Sequence, residues 1–141
     1  MAYRRLKAVD QHWRRSNQMG VQNTDLAKQL ESRALGARLW RIEPGQASTK
    51  HRHRVQEELY LLLEGVGRAR IDDELLTVEA GEVLVIEPES VRQLFNDTDA
   101  DQLWLVVGGP PELANTLEMS DDDLAFLYPD GPRAMPPELG G

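Results

Sequence analysis

The chain carries its most informative pattern between Gly45 and Gly65, where it reads GQASTKHRHRVQEELYLLLEG. Residues two apart on a strand project from the same face with Cα atoms about 6.6–7 Å apart, so His51 and His53 can turn both imidazoles toward one ion. Glu58 opens the next predicted strand, which can lie beside the first across a short turn. The pattern therefore predicts a metal site of two histidines and one carboxylate, His51, His53 and Glu58.

This stretch resembles the first motif of the cupin superfamily, Gly-x5-His-x-His-x3,4-Glu-x6-Gly. The fixed positions of that motif are occupied by Gly45, His51, His53, Glu58 and Gly65. The resemblance selects Glu58 over Glu57, because six residues separate Glu58 from Gly65. Strand alternation agrees, since it places Glu58 and Tyr60 on one face and Glu57 on the other. The resemblance implies an all-β fold, the cupin double-stranded β-helix, a small β-barrel or jelly roll to which the flanking sequence adds short helices.

The second cupin motif, approximately Gly-x5-Pro-x-Gly-x2-His-x3-Asn, is only partly present between Gly81 and Asn96, although both end positions match. Glu87 replaces the Pro, Glu89 replaces the second Gly, and Arg92 replaces the His that usually supplies a fourth ligand. A guanidinium has no lone pair to give, so Arg92 cannot bind the ion. What remains is a 2-His-1-carboxylate triad with open positions, the arrangement found in non-haem Fe(II) oxygenases.

Arg92 has two interpretations that the sequence leaves open. It is either the anchor for an anionic substrate, inside the barrel where the fourth ligand would lie, or the partner of an internal ion pair with a carboxylate such as Glu58. Tyr60 and Trp40 are candidates to line a substrate cavity, although aromatic residues in a small barrel are more often part of the packing. The predicted substrate-binding residues are therefore Arg92, Tyr60 and Trp40, beside one divalent ion, Fe, Mn, Ni or Zn.

The resemblance to cupins implies functions between which the fold cannot choose. The first is a metal-dependent dioxygenase or related oxidoreductase that acts on a small carboxylated or enolisable substrate. The second is a binding or sensory cupin that holds the metal and a small anionic ligand without turnover. The third is a metal-free barrel that serves as a subunit contact. The sequence shows no separate acid or base beyond the triad, so no catalytic residue is assigned.

The composition limits the classes of site. The chain has 141 residues and no cysteine, which favours one domain and excludes disulfides, thiolate zinc sites and a cysteine nucleophile. Up to Arg54 it carries 12 Lys and Arg against 4 Asp and Glu, and after Arg54 it carries 4 against 20. The acidic part would repel phosphates and no aromatic platform accompanies the arginines, so we expect no nucleic-acid partner. The basic segment is expected to lie against acidic surface of its own barrel or of a partner subunit.

Short runs of Leu, Ile and Val separated by turn residues occupy the middle of the chain, a pattern typical of a β-sandwich or barrel. The predicted strands cover residues 37–43, 48–53, 58–64, 67–71, 74–78, 83–87, 91–96 and 102–107. We expect one domain in three parts, which are an N-terminal arm (1–36), a barrel (37–108) and a C-terminal extension (109–141).

A short helix is predicted in each flanking part. The first covers residues 24–30 with Asn23 or Thr24 as its cap, and the second begins after Ser120 with an acidic first turn and ends at residue 126 or 127. Residues 129–141 are rich in Pro and Gly and are expected to form a loose tail.

The sequence offers no predicted membrane or secretory segment. Its first residues contain no apolar stretch that resembles a signal peptide, and the longest apolar run, residues 59–63, is far too short to span a bilayer. We therefore expect a cytoplasmic protein without a membrane partner. Leu59, Leu61 and Leu63 form an apolar stripe on the strand face opposite Glu58. This stripe needs a cover, either the chain ends or a second subunit, and we predict a homodimer.

Overall fold

The structure is a computed structural model that describes residues 2–141. Within this range the strands and α-helices are, in chain order, β1 (Arg14–Arg15), β2 (Gln22–Asp25), α1 (Leu26–Gln29), β3 (Gly36–Ile42), β4 (Glu57–Glu64), β5 (Val66–Ile71), β6 (Glu74–Glu79), β7 (Val83–Ile86), β8 (Arg92–Phe95), β9 (Gln102–Gly109) and α2 (Asp121–Leu127). Short 3-10 helices cover Ala8–Asp10, Thr116–Glu118 and Pro137–Leu139. None of the helices described in this range has the length and apolar character needed to cross a bilayer.

The strands form two antiparallel sheets that enclose one core. The larger sheet has the order β1-β2-β3-β9-β4-β7 and the smaller one has the order β6-β5-β8. Both sheets contribute to the cluster of buried apolar residues, which are Val21, Ile42, Tyr60, Leu62, Ala69, Val78, Ile86, Leu94, Trp104 and Val106. The prediction of an all-β fold is therefore confirmed.

The alternation along β4 decides which side chains face this core. Its residues are buried and exposed in turn, with Glu57 exposed and Glu58 and Tyr60 buried. Glu58 lies opposite Gly108 on β9, and Tyr60 lies opposite Val106. Because partners across an antiparallel ladder point to the same face, Glu58 projects into the interior at the glycine end of β9.

The segment before β4 differs from its prediction. Residues 48–53 do not form a strand, although they run antiparallel to β8 and meet it at isolated bridges such as that between His51 and Arg92. The hydroxyl of Ser48 accepts the N–H of Leu94 at 2.9 Å, where a regular ladder would use a backbone carbonyl. This side-chain bond interrupts the ladder, and the apolar pattern of the sequence gives no indication of it.

The N-terminal arm also differs from its prediction. Thr24 belongs to β2, so the predicted helix at 24–30 is limited to α1, and its cap is Asp25, whose side chain accepts the N–H of Lys28 at 2.9 Å. The strands β1 and β2 were not predicted, because their sequences are polar throughout. They extend the larger sheet of their own barrel, since β2 pairs with β3 and β1 pairs with β2.

The C-terminal extension contains the predicted helix but not the predicted loose tail. Ser120 caps α2 and forms a capping box with Asp123. The tail packs on the barrel, since Pro136 is fully buried and the carbonyl of Ala134 accepts a hydrogen bond from Gln93 at 2.9 Å. A Pro- and Gly-rich composition predicts poor intrinsic order, and here contacts with distant strands override that tendency.

Gly65, the last residue of the first motif, joins β4 to β5 with φ of +87°, in the region of backbone conformation that favours glycine. A Cβ at this position would lie 2.3 Å from the carbonyl oxygen of Asp101. We expect Gly65→Ala to lower the free energy of unfolding by about 1–3 kcal/mol, as measured by urea denaturation. Gly45→Ala is the matched control, because Gly45 has φ of +83° but no atom within 4 Å of the corresponding Cβ. Equal losses in both variants would show that the approach to Asp101 contributes nothing.

Candidate metal centre

Three potential ligands meet at the edge of the core. His51 and His53 come from the segment that runs beside β8, and Glu58 comes from the second position of β4. The Nε2 atoms of His51 and His53 lie 3.5 Å and 3.1 Å from the same carboxylate oxygen, Oε1 of Glu58. The two imidazole rings are 5.0 Å apart and nearly perpendicular. The structure therefore brings together all three residues of the predicted triad.

The donor set fits a first-row divalent ion. One potential ligand atom from each of the three residues lies within 4.8 Å of the other two. Ligand atoms about 2.0–2.2 Å from an ion are about 3 Å apart when they meet it at right angles, so small side-chain adjustments suffice. Two imidazole nitrogens and one carboxylate oxygen are the donors that Fe, Mn, Ni and Zn share.

His51 is oriented for ligation by its own backbone. Its Nδ1 lies 2.9 Å from the carbonyl oxygen of Thr49. Because a carbonyl only accepts, Nδ1 is the donor of this bond, so Nε2 is the nitrogen left to bind an ion. The His51 side chain is 21% exposed, against 12% for His53. Solvent therefore reaches the centre more readily on the His51 side.

Glu58 is buried but remains ionised. Burial acts to raise the pKa of Glu58, but hydrogen bonds and charge interactions with His51 and His53 outweigh it, and the pKa lies well below its usual value. Its Oε1 accepts a hydrogen bond from the Tyr60 hydroxyl at 2.8 Å, and its Oε2 accepts one from Gln56 Nε2 at 3.3 Å. A carboxylate held in this way is in the charge state that ligation requires.

Arg92 lies beside the triad, but its terminal nitrogens are engaged elsewhere. Nη1 donates to the carbonyl of Pro88 at 3.0 Å and Nη2 donates to that of Glu87 at 3.1 Å. Only Nε faces the site, 3.6 Å from Glu58 Oε1, and the side chain is 1% exposed. Of the two interpretations that the sequence left open, these contacts favour the internal ion pair.

The two aromatic candidates occupy different places. Tyr60 is 3% exposed and joins the site through its hydroxyl, while its ring packs edge-on against Trp104 at 6.3 Å. Burial raises the pKa of Tyr60 well above its usual value, so the hydroxyl stays protonated. Trp40 lies opposite Trp104, which in turn lies opposite Leu62. That level is four residues, about 13 Å, along the strand from Glu58, so the structure does not bring Trp40 to the triad.

A family model described as the cupin domain matches residues 38–108. The chain belongs to the cupin family. Solved structures agree on the fold, which confirms the cupin prediction. A cupin-superfamily sugar phosphate isomerase from Silicibacter pomeroyi is 23% identical, with 77% of this chain and 76% of that chain covered and a TM-score of 0.69. A cupin protein from Bacteroides fragilis is 22% identical, with 87% and 94% covered and a TM-score of 0.66.

Other relatives of this cupin add little about its chemistry. A protein from Thermotoga maritima described as a predicted oxalate decarboxylase is 20% identical, with 79% and 100% of the chains covered and a TM-score of 0.65. At such identities the likeness shows the fold alone. An uncharacterised protein of Methanocaldococcus jannaschii is 30% identical over 70 residues. That match covers 50% of this chain and 56% of the relative, so the chain spans little more than half the length of the curated relative it matches.

Two residues of this cupin that contact the triad were missed by sequence reasoning. Glu112 lies in the C-terminal extension, with Oε2 at 3.5 Å from His53 Nδ1. Gln56 lies within the first motif, at a position where any residue is allowed, and it donates to Glu58. Neither position carries a signal in one sequence. The motif allows any residue at position 56, and Glu112 is 56 residues further along the chain and is brought to the site only by folding.

Proposed function

We propose that the protein binds one divalent ion, Fe, Mn, Ni or Zn, through His51, His53 and Glu58, together with a small anionic ligand at the remaining positions of the ion. The observation that carries this proposal is the convergence of three donor atoms within 4.8 Å of one another. The Nε2 atoms of His53 and His51 lie 3.1 Å and 3.5 Å from Oε1 of Glu58. A divalent ion in such a site polarises a ligand oxygen as a Lewis acid.

The charges around the triad support an anionic ligand. Two neutral imidazoles and one carboxylate leave a divalent ion with a net positive charge, and Arg92 adds a buried cation 3.6 Å from Glu58. Glu112 contributes one further carboxylate, which is insufficient to reverse the sign. An oxygen donor of negative charge is therefore favoured at the open positions over a neutral or cationic one.

A surface cleft near the site does not share this preference for an anion. It has a volume of about 430 Å³ and is lined by Arg54, Asp72, Glu87, Pro88, Glu89 and Ser90. The carboxylates among these residues outnumber the single guanidinium, so the cleft itself does not favour an anion. The proposed preference for an anion thus depends on the metal centre, and the metal-free protein is not expected to share it.

The proposed site is compatible with a dioxygenase-type oxidoreductase, because a 2-His-1-carboxylate triad leaves positions for both a substrate and oxygen. One observation favours the alternative of a binding or sensory protein without turnover. Tyr60 and Glu112, two titratable side chains that contact the ligands, are already engaged, the first with Glu58 and the second with backbone N–H groups of residues 54–56. Neither is free to transfer a proton to a substrate.

The test combines metal analysis with ligand titration. Protein purified without chelator is expected to contain stoichiometric metal, and calorimetry is expected to show binding of a small dicarboxylate such as oxalate only to the metal-loaded form. Oxygen uptake across a panel of small carboxylic acids then separates the enzyme from the binding protein. If the protein binds none of the four candidate ions, the proposal is contradicted and the metal-free barrel is favoured.

We also infer a homodimer formed through the outer face of the larger sheet. This face carries the apolar residues Leu59, Leu61, Val83, Val85, Leu105 and Val107, which share one side of β4, β7 and β9. Leu59 is 38% exposed and Val85 is 59% exposed, so the chain ends do not cover it. An uncovered apolar sheet face of this kind favours association.

Light scattering is expected to give a dimer mass at micromolar concentration, and Val85→Glu is expected to shift it to the monomer, because a charge would be buried in the contact. Val66→Glu adds the same charge at an exposed valine of β5, in the smaller sheet, and as the control it should remain dimeric. A monomer mass for the parent would remove this inference.

A further inference from the structure

Among the described residues, none is a hydrogen-bond partner for one ring nitrogen of His53. Its Nδ1 is buried and bonded to nothing within the described residues. The nearest acidic group is Oε2 of Glu112 at 3.5 Å, and the side chains of both residues are 12% exposed. Glu112 lies beyond the segment 38–108 that matches the cupin domain. A residue outside the barrel therefore supplies the group that faces the second histidine of the triad.

Glu112 is held in place by the loop between His53 and Glu58. Its Oε1 accepts the backbone N–H groups of Val55 and of Gln56, the latter at 2.6 Å. Its Oε2 accepts the N–H of Arg54 at 3.2 Å. In return, the side-chain oxygen of Gln56 accepts the backbone N–H of Glu112 at 3.2 Å. The carboxylate thus has a fixed position relative to the histidine.

Gln56 continues the contact to the carboxylate ligand. Its Nε2 donates to Oε2 of Glu58 at 3.3 Å, and its side chain is buried above Gly108 on β9. A Cβ at Gly108 would lie 2.7 Å from Gln56 Nε2. The glycine therefore leaves the space in which the Gln56 amide connects Glu112 to Glu58.

We propose that Glu112 is a positioning residue of the metal centre, which holds His53 with its proton on Nδ1 so that Nε2 presents a lone pair to the ion. Histidines that bind metals usually donate their second N–H to a carboxylate or carbonyl, and this contact fixes the tautomer and the ring orientation. Thr49 does this for His51 through its backbone carbonyl. Glu112 does it for His53, and Gln56 ties the same carboxylate to Glu58. This inference rests on the proposed binding of a metal by the triad.

The test is calorimetric titration of the full chain with Zn²⁺. Glu112→Gln retains an oxygen that can accept the N–H groups of Val55 and Gln56, but it places an NH₂ donor opposite His53 Nδ1, which favours the wrong tautomer. We expect the affinity for Zn²⁺ to fall about 10–100-fold. Glu118→Gln is the matched control, since Glu118 is exposed in the same extension and its replacement removes the same charge. It should change the affinity less than twofold.

Two further measurements separate positioning from a merely structural role. The urea midpoint of metal-free Glu112→Gln is expected to fall only slightly, because the N–H of Arg54 alone loses its acceptor. A large drop would assign the loss of affinity to loop folding and overturn the proposal. In the Zn²⁺-loaded parent, nitrogen NMR is expected to show a slowly exchanging proton on His53 Nδ1. A rapidly exchanging proton there would overturn the proposal even if the variant failed to fold.

The outcomes also distinguish this inference from the proposed function. If the parent does not bind Zn²⁺ or any other candidate ion, the proposed function fails. If the parent binds Zn²⁺ and Glu112→Gln binds it equally well, only the role of Glu112 is refuted.

Discussion

The double variant His51→Ala, His53→Ala is expected to lose stoichiometric metal while it keeps the fold. Removing both imidazoles leaves the single carboxylate of Glu58, which cannot hold a first-row ion against water at micromolar concentration. The loss of metal affinity should exceed the roughly 10–100-fold loss that follows when a residue contacting a ligand, rather than a ligand itself, is replaced. Elemental analysis and calorimetric titration with each candidate ion measure it.

The fold is expected to persist because the histidines lie at the edge of the core. Glu58 keeps its hydrogen bonds from Tyr60 and Gln56 when the imidazoles are removed. His12→Ala is the matched control, since His12 is the third histidine of the chain, exposed and outside the first motif. Stoichiometric metal that persists in the double variant would refute the site, and lost metal in His12→Ala would point to a different one.

Arg92→Met is expected to lower the free energy of unfolding by about 3–5 kcal/mol, the usual result of removing one partner of a buried ion pair. Arg92 is 1% exposed, and its replacement leaves Glu58 without a neighbouring guanidinium. It also leaves the carbonyls of Glu87 and Pro88 without their donors. Urea denaturation of the metal-free protein is the measurement.

Arg133→Met is the matched control for this variant. Arg133 is exposed and donates one hydrogen bond, to Gln18 at 2.9 Å, so its replacement should change the stability by less than about 0.5 kcal/mol. If Arg92→Met unfolds at the same urea concentration as the parent but binds oxalate more weakly when loaded with metal, then Arg92 is a ligand anchor. Its assignment to a structural ion pair would then be wrong.

The positions of the triad and much of the barrel were predictable because they depend on local geometry. Strand alternation places Glu58 and Glu57 on opposite faces, the motif spacing selects Glu58 as the ligand, and in the structure Glu58 is buried and Glu57 is exposed. Gly65 lies in the turn after β4 with positive φ, a conformation that its residue type permits. Apolar runs located most of the strands to within one or two residues.

Polar strands and distant contacts were not predictable. The residues of β2, Gln-Asn-Thr-Asp, carry no apolar alternation, and they are extended because they pair with β3. The tail after α2 is held on the barrel by the bond from Gln93 on β8 to the carbonyl of Ala134, and Pro136 is fully buried. Composition predicts the intrinsic tendency of such segments, whereas their order comes from surfaces that exist only after folding.

By itself the sequence determined the family, the all-β fold and the three candidate ligands, because each follows from residue type and spacing within a short stretch. Only the tertiary structure decided the surroundings of those ligands. Arg92 turns to the carbonyls of Glu87 and Pro88, which leaves Nε alone facing the site. Glu112, in the segment after β9, lies 3.5 Å from His53 Nδ1. Both contacts join residues that no local periodicity relates, so their positions depend on how the barrel closes.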